Sequence, residues 1–182
     1  MHLPRNQNLV NDLLNIYPFA NVWLVGHSLG GALASLLGST YGLPAVAFES
    51  PGERLAATRL HLPLPRPRNV SSNSQLPVVP VTHVYHTGDP IAQGVCTGFS
   101  SPCTQTGYAL ETKCHLGKSI VLDTVGKLGW KIEVRRHVIK DVILKVLEAD
   151  GVEWGEDGRD VPQALEEVDC VVSFFSFYYL WV

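Results

Sequence analysis

The sequence predicts an α/β fold in which helices cover a parallel sheet. Three short apolar runs, at 22–25, 45–50 and 81–86, are rich in valine and have the length of buried strands. Between the first two runs, residues 29–37 are small or apolar at helical spacing. Strands that alternate with helices indicate a parallel sheet, because parallel neighbours need a crossover connection.

The first predicted element is an amphipathic helix at 8–16, which ends before Pro18. Its apolar residues at helical spacing are Leu9, Val10, Leu13 and Leu14. The run at 22–25 comes next, and its continuous apolar character predicts a central strand that is buried on both faces. Gly42 and Pro44 end the helix that follows this strand.

The second half of the chain is less regular. Residues 61–80 predict an exposed connection or an insertion, because their prolines cannot continue a helix or a central strand. These prolines are Pro63, Pro65, Pro67, Pro77 and Pro80. A further strand is predicted at 119–122, and a last helix starts near His137, before an acidic and polar stretch at 150–169. The apolar face of that helix consists of Val138, Ile139, Val142, Ile143, Val146 and Leu147.

The composition describes one globular domain with little charge. The chain has 182 residues, of which 46% are hydrophobic and 17% are charged. Its 14 Lys and Arg against 17 Asp and Glu leave no basic surplus, so nucleic acid is not an expected partner. The longest apolar stretch, at 170–182, is shorter than the about 20 residues that span a bilayer as a helix. We therefore expect no transmembrane helix in this chain.

The four cysteines are Cys96, Cys103, Cys114 and Cys170. No Cys-x2-Cys pair occurs, and His115 beside Cys114 cannot face the same metal, which argues against a zinc site. Three cysteines in the glycine-rich and serine-rich segment 94–114 favour a disulfide-stapled loop and an oxidising compartment, and the glycosylation sequon at Asn69 agrees. Residues 1–8 lack the apolar core of a secretory signal, so the protein is either cytosolic or its true start is missing.

The residue expected to carry the chemistry is Ser28, in the pentapeptide Gly26-His27-Ser28-Leu29-Gly30. This Gly-x-Ser-x-Gly pattern falls between a predicted buried strand and a helix of small residues, which is the context of a nucleophile elbow. A serine on such a sharp turn projects its hydroxyl above the sheet, and we expect the two glycines to avoid Cβ clashes around it. The pattern predicts an α/β-hydrolase with Ser28 as the nucleophile.

A serine nucleophile needs a base and an orienting carboxylate, which follow it in this fold in the order Ser, Asp, His. Asp89 ends the third predicted strand, where a turn aspartate that binds its own backbone is an equal alternative. Only His115 and His137 follow Asp89. His137 is favoured as the base, because it lies where the chain enters the last helix. We expect His115, in the cysteine loop, to be structural or to face solvent, and His27 to pack beside the catalytic group.

Longer segments of the chain carry a family resemblance. Residues 26–34 are similar to the nucleophile segment of class 3 (fungal-type) lipases. Residues 85–91 and the Cys96-Thr97-Gly98 loop narrow the resemblance to the autophagy-related vacuolar lipases of fungi, and Trp154 with the acidic stretch at 153–160 fits that group.

The resemblance implies a carboxylic ester hydrolase with Ser28 as nucleophile, Asp89 as acid and His137 as base. The fold places one oxyanion-hole donor on the backbone N–H of Leu29. The implied substrates are triacylglycerol or phospholipid esters at a membrane surface, and the implied role is lysis of autophagic bodies. The implied location is the lumen of the vacuole or multivesicular body, reached through the secretory pathway. No metal or cofactor is implied.

On this interpretation residues 1–150 form a partial α/β-hydrolase lipase domain, and residues 151–182 are an acidic segment and apolar tail without a domain of their own. Because only 27 residues precede Ser28, we expect the carboxyl-terminal half of such a lipase, truncated at the amino terminus. The second oxyanion donor then has no source in the chain, and the strand at 22–25 becomes a bare apolar edge. The alternatives are a catalytically inactive fragment and a serine acyl hydrolase that is not a lipase, such as an esterase or thioesterase.

Overall fold

The computed structural model describes residues 3–62, 79–95, 114–155 and 159–167. In these ranges the strands are β1 (Leu24–His27), β2 (Ala45–Phe48), β3 (Val81–His86) and β4 (Lys118–Leu122). They form one sheet in the order β1-β2-β3-β4, and every pairing is parallel. The predicted α/β fold with a parallel sheet is confirmed.

Helices connect and cover these strands. They are α1 (Leu3–Ile16), α2 (Leu29–Tyr41), α3 (Arg54–Arg59), α4 (Thr124–Leu128) and α5 (Ile139–Val142). A 3-10 helix at Val134–His137 precedes α5, and a π-helical segment at Ile143–Leu147 follows it. Among the described helices, none combines the length and the apolar character needed to cross a bilayer.

Strand β1 differs from its prediction in position and in surroundings. It begins at Leu24, whose N–H donates to Pro44 O at 2.9 Å, rather than at residue 22. In the described part of the chain β2 is its single neighbour, so β1 lies at the edge of the sheet. Trp23 and Val25 are 63% and 64% exposed. The prediction of a central strand buried on both faces is wrong for the described part of the chain, where the apolar run lies at an open edge of the sheet.

Helix α2 positions the core on one side of the sheet. It ends at Gly42, whose φ of 67° is the left-handed cap that the Gly-Leu-Pro sequence predicts. Leu36 of α2 is fully buried and packs with Ala57 and Leu116. Burial of such a leucine contributes roughly 2–3 kcal/mol to folding, so this contact fixes α2 against the segments before β4.

A second core cluster joins the sheet to the segment that follows the last helix. It contains Leu122 at the end of β4, Val146 and Trp154. Leu165 pairs with Ser119 as an antiparallel bridge at the side of β4. Trp154 and Leu165 therefore attach the described part of this segment to the sheet.

The last helix has a narrower apolar face than predicted. Val142 and Val146 are fully buried, as expected for this face. Three other predicted members are at least 40% exposed, namely Val138, Ile143 and Leu147. Val138 is exposed because it lies before the helix, in extended backbone. Ile143 and Leu147 lie in the π-helical segment, where Glu148 N donates to Ile143 O, and this wider period rotates them out of the 3.6-residue stripe.

Several predicted features lie outside the described residues. They are most of the proline-rich stretch, the sequon at Asn69, the tail at 171–182, and Cys96, Cys103 and Cys170. Cys114 is described, and its sulfur is in a disulfide. The pairing of the four cysteines stays a prediction.

Candidate active site

The turn between β1 and α2 holds Ser28 in an uncommon backbone conformation. Its φ and ψ are 57° and −128°, a combination that residues with a side chain rarely adopt. The Ser28 N–H donates to Phe48 O at 2.9 Å, and the Ser28 carbonyl accepts from Ala32 N at 3.1 Å. The sheet and the first turn of α2 thus fix this residue from both sides.

Two glycines make room for this turn, and one of them is not the glycine that was predicted. A Cβ on Gly26 would overlap the Gly30 carbonyl and lie 2.7 Å from the Gly31 nitrogen, so Gly26 has the expected role. A Cβ on Gly30 would meet nothing within 4 Å, so the clash predicted there is wrong. The second close approach is at Gly31, whose Cβ would lie 3.1 Å from Gly26 O and from Ser50 Cβ. The physical reason is orientation, since Gly31 is buried against the sheet whereas Gly30 is exposed.

The structure brings together the three side chains predicted to form a triad. His137 Nε2 lies 2.7 Å from Ser28 Oγ, and His137 Nδ1 lies 2.6 Å from Asp89 Oδ2. The Asp89 side chain is fully buried, and that of His137 is 14% exposed. Because a carboxylate faces Nδ1, this nitrogen carries the proton, and Nε2 is free to accept from the serine hydroxyl.

Asp89 satisfies both interpretations of its sequence position. Its Oδ1 accepts the Ile91 N–H at 2.9 Å, as a turn aspartate does, while Oδ2 faces His137. Burial alone would raise the pKa of Asp89, but hydrogen bonds from His137 and Glu49 outweigh it and hold that pKa below its ordinary value. Asp89 is therefore an anion that binds the backbone and the imidazole at the same time.

Two further histidines hold the segment that carries His137. His86 Nε2 donates to Arg136 O at 3.1 Å, while its Nδ1 accepts the Gly88 N–H at 3.1 Å. His27 Nε2 donates to His137 O at 2.9 Å, which agrees with its predicted packing role. Burial is the main cause that lowers the pKa of both His86 and His27, and the neutral form that this favours is the one His86 needs to accept the Gly88 N–H at Nδ1.

Residues of the same segment make further contacts with each other and with the end of β3. The Arg136 guanidinium lies 4.2 Å from the centre of the Trp130 ring, and the His86 and Trp130 rings form a T-shaped contact with 5.2 Å between centroids. Glu133 N donates to Gly88 O at 3.2 Å. The loop before His137 is therefore attached to the end of β3, where Asp89 also lies.

Glu49 was not singled out from the sequence, and it lies against Asp89. It is the first residue after β2, its side chain is fully buried, and its φ is 44°. Its Oε2 faces the His86 N–H at 3.5 Å, and its carboxyl group interacts with that of Asp89. Burial is the main cause that raises the pKa of Glu49 well above its ordinary value, and the bond and charge of Asp89 raise it further. The only sequence signal was a charged residue directly after an apolar strand.

His115, the other histidine that follows Asp89, has different partners. Its Nδ1 lies 2.7 Å from Glu167 Oε1, and its Nε2 lies 2.9 Å from Ser50 O. The residue is 2% exposed. The expected structural role fits these contacts, whereas exposure to solvent is wrong, because both ring nitrogens are bonded to partners inside the fold.

Glu53, His83 and His115 form a buried cluster whose ligand atoms lie within 4.8 Å of one another, close enough to suggest a metal. Both ring nitrogens of His115 face acceptors, so both carry protons and neither offers a lone pair. Glu53 Oε1 accepts from the Ser35 hydroxyl and from Leu116 N, and it lies 2.9 Å from His83 Nε2. The cluster is a buried polar network that joins α2, β3 and the segment before β4.

Comparison with known proteins gives a consistent result. Residues 5–45 match the family model of the class 3 lipases. The chain is 48% identical to "Putative lipase ATG15" of Mycosarcoma maydis over 168 residues, which are 92% of this chain. It is 54% identical to the protein of the same name from Cryptococcus neoformans over 154 residues, or 84% of this chain. A solved lipase from Rhizopus microsporus var. chinensis matches 65% of this chain and 37% of its own, with 20% identity and a TM-score of 0.34.

The matched regions cover only part of each relative. The chain spans 32% of the Mycosarcoma protein and 27% of the Cryptococcus protein, about a third of their length or less. The family match at 5–45 includes the Ser28 turn with both close-packed glycines. The chain is therefore similar to the class 3 lipases over the Ser28 turn and, along most of its length, to the fungal proteins named ATG15.

Proposed function

We propose that this chain is the triad-bearing part of a carboxylic ester hydrolase of the lipase type, and that its substrates are glycerolipid esters. The observation that carries the proposal is the unbroken series of hydrogen bonds from Ser28 through His137 to Asp89. A hydroxyl at 2.7 Å from an imidazole nitrogen, with a buried carboxylate behind the ring, is the arrangement that activates a serine for acyl transfer.

In the proposed reaction Ser28 Oγ attacks the ester carbonyl while His137 Nε2 takes the hydroxyl proton. Asp89 keeps the imidazole in the required tautomer and stabilises the imidazolium. The N–H of Leu29 is a donor for the developing oxyanion, because the first turn of a helix leaves its N–H groups without intrahelical acceptors. The imidazolium then protonates the leaving alcohol, and a water activated by His137 hydrolyses the acyl-enzyme.

Exposed apolar residues beside the triad support a lipid substrate. Leu29 follows Ser28 directly and is 61% exposed, and Val138 follows His137 and is 52% exposed. Apolar side chains open to solvent next to the reacting hydroxyl suit a long acyl chain, whose burial is favourable. Triacylglycerols and phospholipids both present such an ester at a membrane surface.

The proposal extends to the place of action. The lipase name of the relatives and the resemblance to autophagy-related lipases support lysis of autophagic bodies in the lumen of the vacuole or multivesicular body. The disulfide at Cys114 supports an oxidising compartment on the secretory route. Tagged protein that stays outside this lumen in fungal cells would contradict the location while leaving the chemistry intact.

The experiment that tests the chemistry is labelling with a fluorophosphonate, which reacts with activated serines. The protein is expected to take the label, and Ser28→Ala is expected to lose it. Ser39→Ala is the matched control, since Ser39 lies on α2 with a hydroxyl that is buried without a hydrogen-bond partner. Absence of label on the unchanged protein would favour a catalytically inactive chain. Label with turnover of short-chain esters only would favour a serine acyl hydrolase that is not a lipase.

A further inference from the structure

Glu49 combines two features that are unfavourable by themselves. Its carboxyl group is fully buried, and its backbone adopts a φ of 44°, in the left-handed region that a residue with a side chain rarely occupies. Strained backbone of this kind persists where the surrounding structure requires it, and it clusters at functional sites. Glu49 follows the end of β2, and the neighbouring strand β3 leads into the turn that contains Asp89, so the triad is the nearest functional group that could require this strain.

The contacts of the carboxyl group differ between its two oxygens. Oε2 faces the backbone N–H of His86 at 3.5 Å. Oε1 receives no donor from the described residues, and His86 Nε2, 3.8 Å away, already donates to Arg136 O. The remaining interaction of this buried carboxyl group is with the carboxyl group of Asp89, which lies close enough for each group to shift the pKa of the other. Oε1 is thus a buried polar atom for which Asp89 is the available partner.

A hydrogen bond between two carboxyl groups requires one proton, because two ionised carboxylates are acceptors only. Asp89 accepts N–H bonds from Ile91 and from His137, and both favour its charged form. Glu49 has one long contact with an N–H group and no charged donor among the described residues. The shared proton therefore belongs to Glu49, with neutral His86 as the other titratable group against it.

We propose that Glu49 is a positioning residue for the triad: as a neutral acid it donates a hydrogen bond to the Asp89 carboxylate and fixes it toward His137. The inference rests on the proposed function of the Ser28 relay. It adds a fourth member to that relay, which then runs from Ser28 through His137 and Asp89 to Glu49. The strained backbone at Glu49 is explained, since it turns the side chain back to the end of β3.

The kinetic test compares two variants of this residue. Glu49→Gln keeps a donor for Asp89 and nearly the same shape, whereas Glu49→Met keeps the size and removes the donor. We expect Glu49→Met to lower kcat roughly 10- to 100-fold with little change in KM, because misplacing a catalytic group costs on that order. Glu49→Gln is expected to restore most of kcat and to leave the acid limb of the pH profile of kcat/KM in place. Glu53→Met is the control for loss of a buried glutamate outside the triad, and it is expected to lower stability but not kcat per labelled site.

Two results would overturn the proposal. One is a Glu49→Met enzyme with unchanged kcat per labelled site. The other is an acid limb that moves to lower pH in Glu49→Gln, because only removal of a negative charge beside the relay would have that effect. Infrared spectroscopy tests the proton on Glu49 without turnover, since the protonated-carboxyl band at neutral pH should be present in the unchanged protein and absent in Glu49→Gln. Loss of fluorophosphonate labelling with the band retained would instead reject the proposed hydrolase function.

Discussion

Ser28 occupies a backbone conformation that costs on the order of 1–3 kcal/mol, and the fold holds it there with hydrogen bonds from two elements. Phe48 of β2 and Ala32 of α2 supply these bonds. The conformation places the hydroxyl at the end of β1, within 2.7 Å of His137 Nε2. Strain at one residue therefore supports a contact between parts of the chain that are 109 positions apart.

The assignment of the base is tested by two histidine variants. His137→Ala is expected to lower turnover by roughly 10⁴-fold or more, because triad members act as a unit. His115→Ala removes bonds to Glu167 and to Ser50 O instead, so it should lower the free energy of unfolding while turnover per labelled site stays the same. Ester hydrolysis and urea unfolding measure the two effects. A greater loss of turnover in His115→Ala would show that the base is assigned to the wrong residue.

The close approach at the elbow is tested by a pair of glycine variants. Gly26→Ala would force its new Cβ into the Gly30 carbonyl, so we expect the folded state to be lost or its turnover abolished. Gly30→Ala has open space at the second position of α2, and it is expected to raise the free energy of unfolding by up to about 1 kcal/mol. Circular dichroism during urea titration distinguishes the two. Equal damage from both variants would contradict the assigned packing.

The sequence predicted those site residues that stand at a fixed spacing or in a fixed chain order. Ser28 stands in a five-residue pattern with a required context, and chain order leaves two histidines after Asp89. Glu49 was missed because its role depends on the neighbouring strand, and nothing near it in the sequence indicates Asp89. Gly31 was missed for a related reason, since only the helix phase decides which glycine faces the sheet.

At the scale of elements, the described segment 159–167 is attached to the sheet by a compact group of hydrogen bonds. Glu167 Oε1 accepts from Tyr85 OH at 3.0 Å and from Ser119 Oγ at 2.7 Å, and it faces His115 Nδ1 at 2.7 Å. Its Oε2 accepts from His115 N at 3.0 Å. Leu165 adds two backbone bonds to Ser119. One carboxylate thus connects β3, β4 and the entry to β4.

This group makes stability depend on pH. Burial alone would raise the pKa of Glu167, but the bond and charge of His115 and its other partners lower it to about 2, from an ordinary value of 4.5. Burial alone would lower the pKa of His115, and Glu167 raises it above the ordinary 6.5. The carboxylate contributes above pH 4.5, and its contribution is lost as the pH falls toward 2. The imidazolium contributes below pH 6.5, and its contribution is lost as the pH rises through its raised pKa.

We therefore expect the free energy of unfolding to be highest between about pH 4.5 and 6.5 and to decrease on both sides. Glu167→Gln should lower this maximum by on the order of 3 kcal/mol and flatten the profile. Urea titrations at pH 3, 5.5 and 9 provide the measurement. Glu166→Gln is the neighbouring control, and a profile that keeps its shape in Glu167→Gln would show that other groups produce it.

The bounds of a helix or strand were predicted well where neighbouring residues in the sequence determine them, and poorly where contacts with distant residues do. β3 was predicted at its observed bounds, Val81–His86, because its β-branched run is closed by a Gly-Asp-Pro turn. β1 was displaced by two residues, since a continuous apolar run does not reveal where pairing with Pro44 begins. The π-helical segment at Ile143–Leu147 was not predictable from the pattern, because an apolar sequence at helical spacing does not specify the switch in period.

At the scale of the whole molecule, the two edge strands of the four-stranded sheet have different surroundings. β4 is covered by the bridge from Leu165 and by packing with Trp154. β1 has no second neighbour among the described residues, and Trp23 and Val25 beside it are exposed. An uncharged apolar edge strand presents unpaired backbone N–H and C=O groups together with apolar side chains, which favours pairing with another chain.

The consequence is testable in the 182-residue chain. Val25→Lys places a charge on β1, where pairing with a second chain would bury it, so we expect it to reduce concentration-dependent association. Val25 is 64% exposed, and the substitution therefore leaves the packed core unchanged. Ile132→Lys is the matched control, because Ile132 is 56% exposed but lies in the loop before the 3-10 helix rather than on a strand. Sedimentation velocity over a range of concentrations should show less association for Val25→Lys than for Ile132→Lys. An equal reduction in both would mean that a general loss of surface hydrophobicity, and not the strand edge, controls association.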